Sequence, residues 1–184
     1  MGAAGESVKY REFEGQEIME MRTFAEVQQL MAELGIPYET VEHPPSHSTE
    51  ESDAFIEGYE GCRCKTLALV NKKSTQIYLV TMDDKKQLDM DELAELLGGV
   101  KRLHFMSEER LKDVFGQRPG IVSLFGLVGT HYDNLHVYFD REMLEENKIQ
   151  TYHPNDNTKT IFFPMEACFT ICESQGYSYE IIDI

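Results

Sequence analysis

The sequence lacks a long hydrophobic run, and a membrane span would need about 18 consecutive apolar residues. The first 20 residues also lack the apolar stretch of a secretory signal peptide. A myristoylation pattern is absent because Glu6 stands where serine or threonine is required. We therefore expect a cytoplasmic protein with no membrane partner.

Cysteine is scarce, with four residues in a chain of 184. Cys62 and Cys64 are too close in sequence for an easy mutual disulfide, and Cys168 and Cys172 fall on one face of a predicted helix. Small secreted proteins carry a much denser cysteine framework. We therefore expect free thiols in a reducing compartment.

Motifs for metals and common cofactors are missing as well. His43 and His47 have a zinc-like spacing, but Cys62 and Cys64 are separated by a single residue, which fits structural zinc poorly. The sequence contains no Walker loop, no dinucleotide fingerprint and no nucleophile elbow. We expect neither a metal ion nor a cofactor.

Basic residues are few, because 17 lysines and arginines oppose 33 acidic residues and leave a net charge of −16. This balance argues against a nucleic-acid partner, since phosphate contacts need positive charge. However, seven of the basic residues fall in the stretch 65–102, and they are Lys65, Lys72, Lys73, Lys85, Lys86, Lys101 and Arg102. A local basic patch can still bind phosphate on an acidic protein.

Two parts of the chain differ in pattern. Residues 1–20 are polar without a clear period and predict a flexible N-terminal extension, whereas residues 21–184 alternate helical and strand patterns. Capping residues and apolar spacing predict helices at 23–35, 48–56, 89–97, 107–116 and 164–175. Strands are predicted at 38–41, 65–71, 76–82, 102–106, 135–139, 149–152, 160–163 and 177–182. This order predicts one compact α/β (mixed α+β) domain, with a mixed, mostly antiparallel sheet surrounded by helices.

Three features of this domain could carry chemistry. Lys65 begins an otherwise buried strand, so its side chain either extends to solvent at the sheet edge or supplies a charge for a phosphate or oxyanion. Gly116 to Gly120 either close a helix with an ordinary turn or let backbone N–H groups approach a carbonyl. The polar loop from His153 to Thr160 is either a plain turn or a site in which His153 orients a water molecule.

Several motifs occur in a defined order along the chain. They are Val41-Glu42-His43-Pro44, Cys64-Lys65-Thr66-Leu67-Ala68-Leu69, Tyr78-Leu79-Val80-Thr81, Leu88-Asp89-Met90-Asp91-Glu92-Leu93-Ala94, Pro119-Gly120-Ile121-Val122-Ser123-Leu124-Phe125-Gly126-Leu127 and His153-Pro154-Asn155-Asp156-Asn157-Thr158-Lys159-Thr160. Together they resemble the YbaK and prolyl-tRNA-synthetase-associated domain family. The chain is most similar to the freestanding branch of that family, the alanyl-tRNA(Pro) deacylases, over residues 22–184.

The resemblance implies a YbaK-like domain that hydrolyses the ester of an amino acid wrongly attached to proline tRNA. Lys65, Gly120 and His153 would then be catalytic: the lysine holds the terminal phosphate or ribose, backbone amides around the glycine hold the ester carbonyl, and the histidine positions the loop or water. The expected substrate-binding residues are Thr66, Gly116, Pro119, Ser123, Phe125, Gly126 and Asn157. The basic Lys72, Lys73 and Arg102 would contact tRNA, and the expected partners are the acceptor end of tRNA(Pro) and prolyl-tRNA synthetase.

Two departures from the family pattern concern the amino acid that is removed. Thr66 follows the lysine at a position where the alanine branch usually has asparagine and the cysteine-editing branch often has threonine. Asn155 and Asp156 follow His153-Pro154 at positions where a hydrophobic residue and threonine or asparagine are common. Alanine and cysteine both remain open as the residue cleaved. The sequence also admits a non-catalytic module that binds an amino acid or tRNA and regulates proline metabolism.

Overall fold

The computed structural model describes residues 10–13, 16–19 and 21–184. Its α-helices are α1 (Phe24–Glu33), α2 (Thr49–Phe55), α3 (Met90–Leu96), α4 (Glu108–Phe115), α5 (Arg141–Glu146) and α6 (Glu166–Ser174), with a 3-10 helix at Leu124–Leu127. Its strands are β1 (Tyr10–Phe13), β2 (Gln16–Met19), β3 (Glu39–Glu42), β4 (Cys62–Val70), β5 (Ile77–Asp83), β6 (His104–Phe105), β7 (Leu135–Asp140), β8 (Ile149–Tyr152), β9 (Lys159–Pro164) and β10 (Tyr179–Ile182).

One mixed sheet organises residues 21–184. Its strand order is β10-β7-β5-β4-β8-β9-β3, and β6 pairs with the far end of β4. The pairs β10–β7, β7–β5 and β4–β8 are parallel, whereas β5–β4, β4–β6, β8–β9 and β9–β3 are antiparallel. The predicted fold class, a mixed and mostly antiparallel sheet with surrounding helices, is therefore confirmed.

Apolar side chains cover both faces of this sheet, because successive strand residues point to opposite sides. On β4, Ala68 and Val70 join the larger core with helices α1, α4 and α6, whereas Leu69 joins a smaller cluster on the other face. Helix α3 covers that smaller cluster with Leu93 and Leu97. Burial on both faces fixes the register of β4, and it thereby fixes where the polar residues at its beginning lie.

Helix boundaries follow the capping residues closely. Thr23 and Glu26 form the predicted reciprocal capping box at the start of α1. Ser48 caps α2 with its hydroxyl, but Glu51 accepts from the N–H of His47 instead of closing a second box. Gly116 ends α4 in the left-handed conformation at φ 60°, which glycine adopts without steric cost.

Within residues 21–184, helix α5 and the 3-10 helix were not predicted from the sequence, and one strand prediction was too long. Helix α5 follows strand β7 directly and has no side-chain N-cap, and the 3-10 helix lies in a glycine-containing segment without strong periodicity. Strand β6 contains only His104–Phe105, so the predicted strand at 102–106 was too long. Arg102 lies outside it with φ 51°, a left-handed backbone that ends regular strand pairing.

In the predicted N-terminal extension, β1 and β2 pair with each other in antiparallel register from Tyr10–Met19 to Phe13–Gln16. They form a separate two-stranded ribbon that does not join the main sheet. The division into an extension at 1–20 and a domain at 21–184 stays a prediction. In the part of the chain that the structure describes, no helix is both long and apolar enough to cross a membrane.

Candidate active site

A cavity of about 540 Å³ opens between α2, the first half of β4 and the loops that follow α4 and β8. This volume lies within the range of about 300–1,000 Å³ that is common for ligand pockets. Its polar lining includes Ser46, His47, Ser48, Thr49, Ser52, Asp53, Arg63, Cys64, Lys65, Thr66, Asp84, Arg118, Gly120, Thr151, His153, Asn157 and Thr160. The three residues predicted to be catalytic, Lys65, Gly120 and His153, therefore all face one cavity.

Lys65 lies on β4 opposite Met82 of β5, where the hairpin register places it beside the turn that follows β5. Its ammonium donates to the carbonyl oxygen of Lys86 at 2.6 Å and to that of Asp84 at 3.4 Å. Since an ammonium carries three protons, one donor remains for a ligand in the cavity. The side chain is fixed by the turn, so it supplies a positioned charge instead of extending freely to solvent.

The loop after α4 supplies a backbone donor. Gly120 has φ 90°, which side-chain-bearing residues rarely adopt, and no atom lies within 4 Å of the position of an added Cβ. Among the described residues, no group accepts a hydrogen bond from its N–H. This N–H is therefore free to donate to a substrate oxygen.

A buried amide joins this loop to the opposite wall. Gln117 is fully buried, and its Nε2 donates to Asn155 Oδ1 at 2.7 Å and to Ser123 Oγ at 3.2 Å. Its Oε1 accepts from the N–H of Ser123 at 3.3 Å. Asn155 in turn donates to the carbonyl of Thr23 at 3.5 Å, before α1. Gln117 thus fixes the distance between the glycine loop and the His153 loop.

The protonation of His153 follows from its partners. Its Nδ1 lies 2.8 Å from the carbonyl oxygen of Lys159, an obligate acceptor, so Nδ1 carries the proton and Nε2 is unprotonated. Burial lowers the pKa of His153 below its ordinary value of 6.5, and the nearby His43 lowers it further, against the opposing effect of the Lys159 carbonyl. His153 is therefore neutral at pH 7, with a lone pair on Nε2. Ser52 lies 3.4 Å from that nitrogen, but its single proton has a closer acceptor in the Ser48 carbonyl at 3.1 Å.

Two carboxyl groups share the cavity with Lys65. Asp53 on α2 and Asp84 after β5 both line it, and they lie close enough for each carboxyl group to change the pKa of the other. Burial, followed by the charges of Asp53 and Asp83, raises the pKa of Asp84 to about 7, against the opposing charge of Lys65. Burial also raises the pKa of Asp53, against the charge of Arg63. The Asp84 carboxyl group therefore gains or loses its proton near neutral pH.

The predicted substrate-binding residues divide into two groups. Thr66, Pro119 and Asn157 line the cavity. Asn157 also donates to the Ser46 carbonyl at 3.5 Å and so ties the His153 loop to the segment before α2. Four further residues are buried and do not line the cavity, namely Gly116, Ser123, Phe125 and Gly126. A direct contact with substrate stays a prediction for all seven.

The predicted tRNA contacts lie away from the cavity. Lys72 and Lys73 follow the far end of β4, seven residues or more beyond Lys65, which corresponds to about 20 Å along a strand. The N–H of Lys72 donates to the carbonyl of Lys101 at 3.0 Å, and this bond brings the exposed Arg102 close to the two lysines. We call these three residues the basic edge, and none of them lines the cavity that Lys65 faces.

The histidines and cysteines with metal-like spacing make other contacts in the described residues. In residues 10–13, 16–19 and 21–184, no three histidine, cysteine, aspartate or glutamate side chains are grouped to hold a metal ion. His43 instead stacks on Phe55 with ring centroids 5.1 Å apart, and its Nε2 is hydrogen-bonded to Thr160 Oγ1 at 2.9 Å. All four cysteines are free.

Sequence reasoning missed several cavity residues, above all Asp53, Asp84 and Arg118. Asp84 follows β5 directly, and pairing the predicted hairpin residue by residue would have placed it beside Lys65. Asp53 lay within the predicted acidic helix, but its orientation depends on how α2 packs. Arg118 was named only as part of the glycine loop, and it faces the cavity from there.

Comparison with known proteins agrees with this architecture. The model of the aminoacyl-tRNA editing domain family matches residues 43–170, and the chain belongs to that family. The family predicted from the motifs is thereby confirmed, and with it an enzyme of the aminoacyl-tRNA deacylase class.

Among individual proteins, the chain is 31% identical to the prolyl-tRNA editing protein ProX of Acetoanaerobium sticklandii over 153 residues, which cover 83% of this chain and 92% of ProX. It is 29% identical to the bovine prolyl-tRNA synthetase associated domain-containing protein 1, over 86% of this chain and 94% of that protein. The crystal structure of a candidate trans-editing enzyme for prolyl-tRNA synthetase has the same fold, with a TM-score of 0.66 and 20% identity over 87% of this chain and 94% of that one.

Proposed function

We propose that this protein deacylates mischarged tRNA(Pro) in trans and that its main substrate is alanyl-tRNA(Pro). The proposal rests on one observation. Lys65, Gly120 with its free N–H, and His153 with its unprotonated Nε2 all line the same cavity. Similarity to ProX and to the bovine synthetase-associated protein supports tRNA(Pro) as the nucleic acid and prolyl-tRNA synthetase as the partner that produces the error.

Ester hydrolysis needs a nucleophile and a donor for the oxyanion. Water, hydrogen-bonded to Nε2 of His153, attacks the ester carbonyl carbon and gives a proton to that nitrogen. The negative oxygen of the tetrahedral intermediate accepts from the N–H of Gly120. The C–O bond to the ribose then breaks, and the ribose oxygen takes the proton, which releases free alanine and tRNA.

In this scheme Lys65 is a binding group and not a nucleophile. Its ammonium is committed to the carbonyls of Asp84 and Lys86, which leaves a single donor directed at the ligand. A phosphate or ribose oxygen of the terminal adenosine is a suitable acceptor. This contact fixes the ester relative to Gly120.

Selectivity in this scheme comes from size. A synthetase site built for proline cannot strongly reject a smaller amino acid, because one methylene is worth only about 1–3 kcal/mol. A separate site with a small acyl pocket can exclude proline by steric clash. Because a smaller amino acid is hard to reject and a larger one is easy to reject, a separate editing enzyme is useful.

The test compares alanyl-, cysteinyl- and prolyl-tRNA(Pro) as substrates for the wild-type protein and for Lys65→Ala. We expect alanyl-tRNA(Pro) to be cleaved fastest and Lys65→Ala to lose about 100-fold or more in kcat/KM, as removal of a charged transition-state contact does. Lys112→Ala, which removes an exposed lysine from α4, is the matched control and should keep full activity.

Each other outcome has a definite meaning. Faster cleavage of cysteinyl-tRNA(Pro) would replace alanine by cysteine as the substrate. Binding of tRNA or of a free amino acid without any deacylation would favour a regulatory binding module. Full activity of Lys65→Ala would show that the proposed arrangement is wrong.

A further inference from the structure

Asp53 and Asp84 are the two carboxyl groups among the described residues that line the cavity. They come from different elements, α2 and the turn after β5, and meet beside Lys65. Because both carboxyl groups face the same cavity, ionising them together is costly, and a proton on Asp84 relieves the repulsion. The fold therefore places negative charge and a displaceable proton inside the candidate active site.

The cations nearby do not neutralise this pair directly. Arg63 lies in the same wall, but its guanidinium donates to the backbone carbonyls of Ile56 at 2.8 Å, Tyr59 at 2.7 Å and Gly61 at 3.2 Å. Lys65 likewise donates to backbone carbonyls, including that of Asp84 itself. Within the described residues, no lysine, arginine or histidine forms an ion pair with either carboxyl group.

Facing carboxyl groups in a half-buried cavity are costly to ionise together, which is the reason for the raised pKa of Asp84. Arrangements of this kind carry a free-energy cost that a bound cation removes. A ligand with a positive charge next to its reacting centre would therefore compensate the negative charge of the two carboxyl groups. The ester of an amino acid is such a ligand, because its ammonium is on the carbon atom adjacent to the ester carbonyl.

We propose that Asp53 and Asp84 bind the α-ammonium group of the aminoacyl ester and so orient its carbonyl towards Gly120. This assignment rests on the proposed deacylase function. When the substrate binds, a proton on Asp84 leaves to solvent, and the α-ammonium donates one hydrogen bond to each carboxylate. Where Asp84 was protonated, the net charge of the cavity is unchanged, because one monovalent cation replaces another.

The contact defines a substrate class. It favours esters of amino acids with a free α-amino group over esters of hydroxy acids, which present a neutral hydroxyl at the same position. It does not distinguish alanine from proline, whose secondary ammonium is also cationic. Exclusion of proline must therefore come from the shape of the acyl pocket.

The experiment compares alanyl-tRNA(Pro) with lactyl-tRNA(Pro), in which a hydroxyl replaces the ammonium at nearly constant size. Rates are divided by the hydrolysis rate of each ester in buffer, because the ammonium itself activates the ester. For the wild-type protein we expect kcat/KM to favour the alanyl ester by about tenfold or more, which corresponds to one charge-assisted hydrogen bond. Asp84→Asn and Asp53→Asn should reduce that preference towards unity, because they should lower kcat/KM for the alanyl ester much more than for the lactyl ester.

The matched control is Glu57→Gln, which removes one negative charge from an exposed position just after α2 and outside the cavity lining. It should keep the full preference. Equal losses on both esters in the Asp84→Asn variant would overturn the proposal, because a general base or a structural residue acts on both alike. Equal wild-type values of kcat/KM for the two esters would also overturn it, and this measurement needs no variant. Failure to cleave either ester above the buffer rate would instead refute the deacylase function itself.

Discussion

Single residues in the His153 loop are held by short polar contacts, and Asp156 has the most of them. Its carboxylate accepts from the N–H of Thr158 at 2.8 Å, from the Thr158 hydroxyl at 2.6 Å and from the Lys159 ammonium at 3.0 Å. Partial burial acts to raise the pKa of Asp156, but these contacts outweigh it and lower the pKa to about 2. The sequence showed Asp156 only as a departure from the family pattern, and the structure gives it a role in holding the loop.

Asp156→Asn should destabilise the protein by about 1 kcal/mol at pH 7, because it removes the charge that these contacts stabilise. The effect is smaller than the full pKa shift implies, because solvent screens the partly exposed carboxylate. Because the pKa is lower in the folded chain than in the unfolded chain, the ionised carboxylate stabilises the fold above about pH 4. This contribution is lost as the pH falls from about 4 towards 2. Urea unfolding at pH 7 and pH 3 measures the effect, with Asp113→Asn on α4 as a control for the loss of one charge. A difference that does not shrink on acidification would contradict the assignment.

Gly120→Ala should lower kcat by about tenfold while costing about 1–2 kcal/mol of stability, because alanine is strained at φ 90° and shifts the N–H that faces the ester. Gly35→Ala provides a close control. Gly35 has φ 65°, also has no atom within 4 Å of an added Cβ, and lies after α1, away from the cavity. Both variants should lower the thermal midpoint, but only the first should lower kcat. Equal effects on activity would mean that Gly120 acts through stability alone.

At the scale of elements, the cavity walls are two loops joined by the buried amide of Gln117. The amide connects the segment after α4 to the segment after β8, which are far apart in sequence. Asn155 has φ 61°, which asparagine tolerates better than most residues, and its side chain thereby reaches Gln117. The geometry of the site thus depends on a contact between two loops that neither loop can make alone.

Gln117→Met, which keeps the length of the side chain and removes its polar atoms, should lower both stability and kcat. Asn155→Gly, which keeps the backbone conformation, should do the same. A double-mutant cycle should give a coupling free energy of about 1 kcal/mol, as expected for side chains in direct contact. Additive effects, measured by denaturant unfolding, would mean that the two loops are held independently.

Element by element, the sequence predicted structure best where local rules decide it. Thr23 and Ser107 start α1 and α4 as their capping pattern predicts, and the hairpin of β4 and β5 follows from two apolar runs around a polar turn. Helix α5 was missed because it follows β7 without a break and its first residue has no side-chain cap. The pairing of Asp53 with Asp84 could not be predicted, because it depends on the packing of α2 against a turn 30 residues away in the chain.

On the scale of the whole molecule, the structure separates basic residues that lie in one stretch of the sequence, residues 65–102. Lys65 and Lys72 are neighbours in sequence, but β4 separates them by about 20 Å. Lys65 faces the cavity, whereas Lys72, Lys73 and Arg102 form the basic edge. A ligand that uses both must be much longer than an aminoacylated adenosine.

The double variant Lys72→Ala/Lys73→Ala should therefore raise KM for charged tRNA and leave kcat nearly unchanged. Loss of two phosphate contacts should reduce the slope of log(kcat/KM) against log[salt] by about 1–2. Cleavage of an aminoacylated adenosine, which cannot span the distance, should not change. Lys112→Ala/Lys148→Ala removes the same charge from exposed positions elsewhere, and a similar loss in that control would point to net charge instead of contact.

In the part of the chain that the structure describes, the open sheet ends in two strands whose outer backbone groups are unpaired. These are β3 and β10, and both can serve as templates for edge-to-edge aggregation. β3 is only four residues long and carries the exposed Glu39 and Glu42, while Glu180 is exposed on β10. Together with the net charge of −16, these carboxylates repel a second copy of the chain. The acidity that argues against nucleic-acid binding thus protects the sheet from polymerising through its own edges.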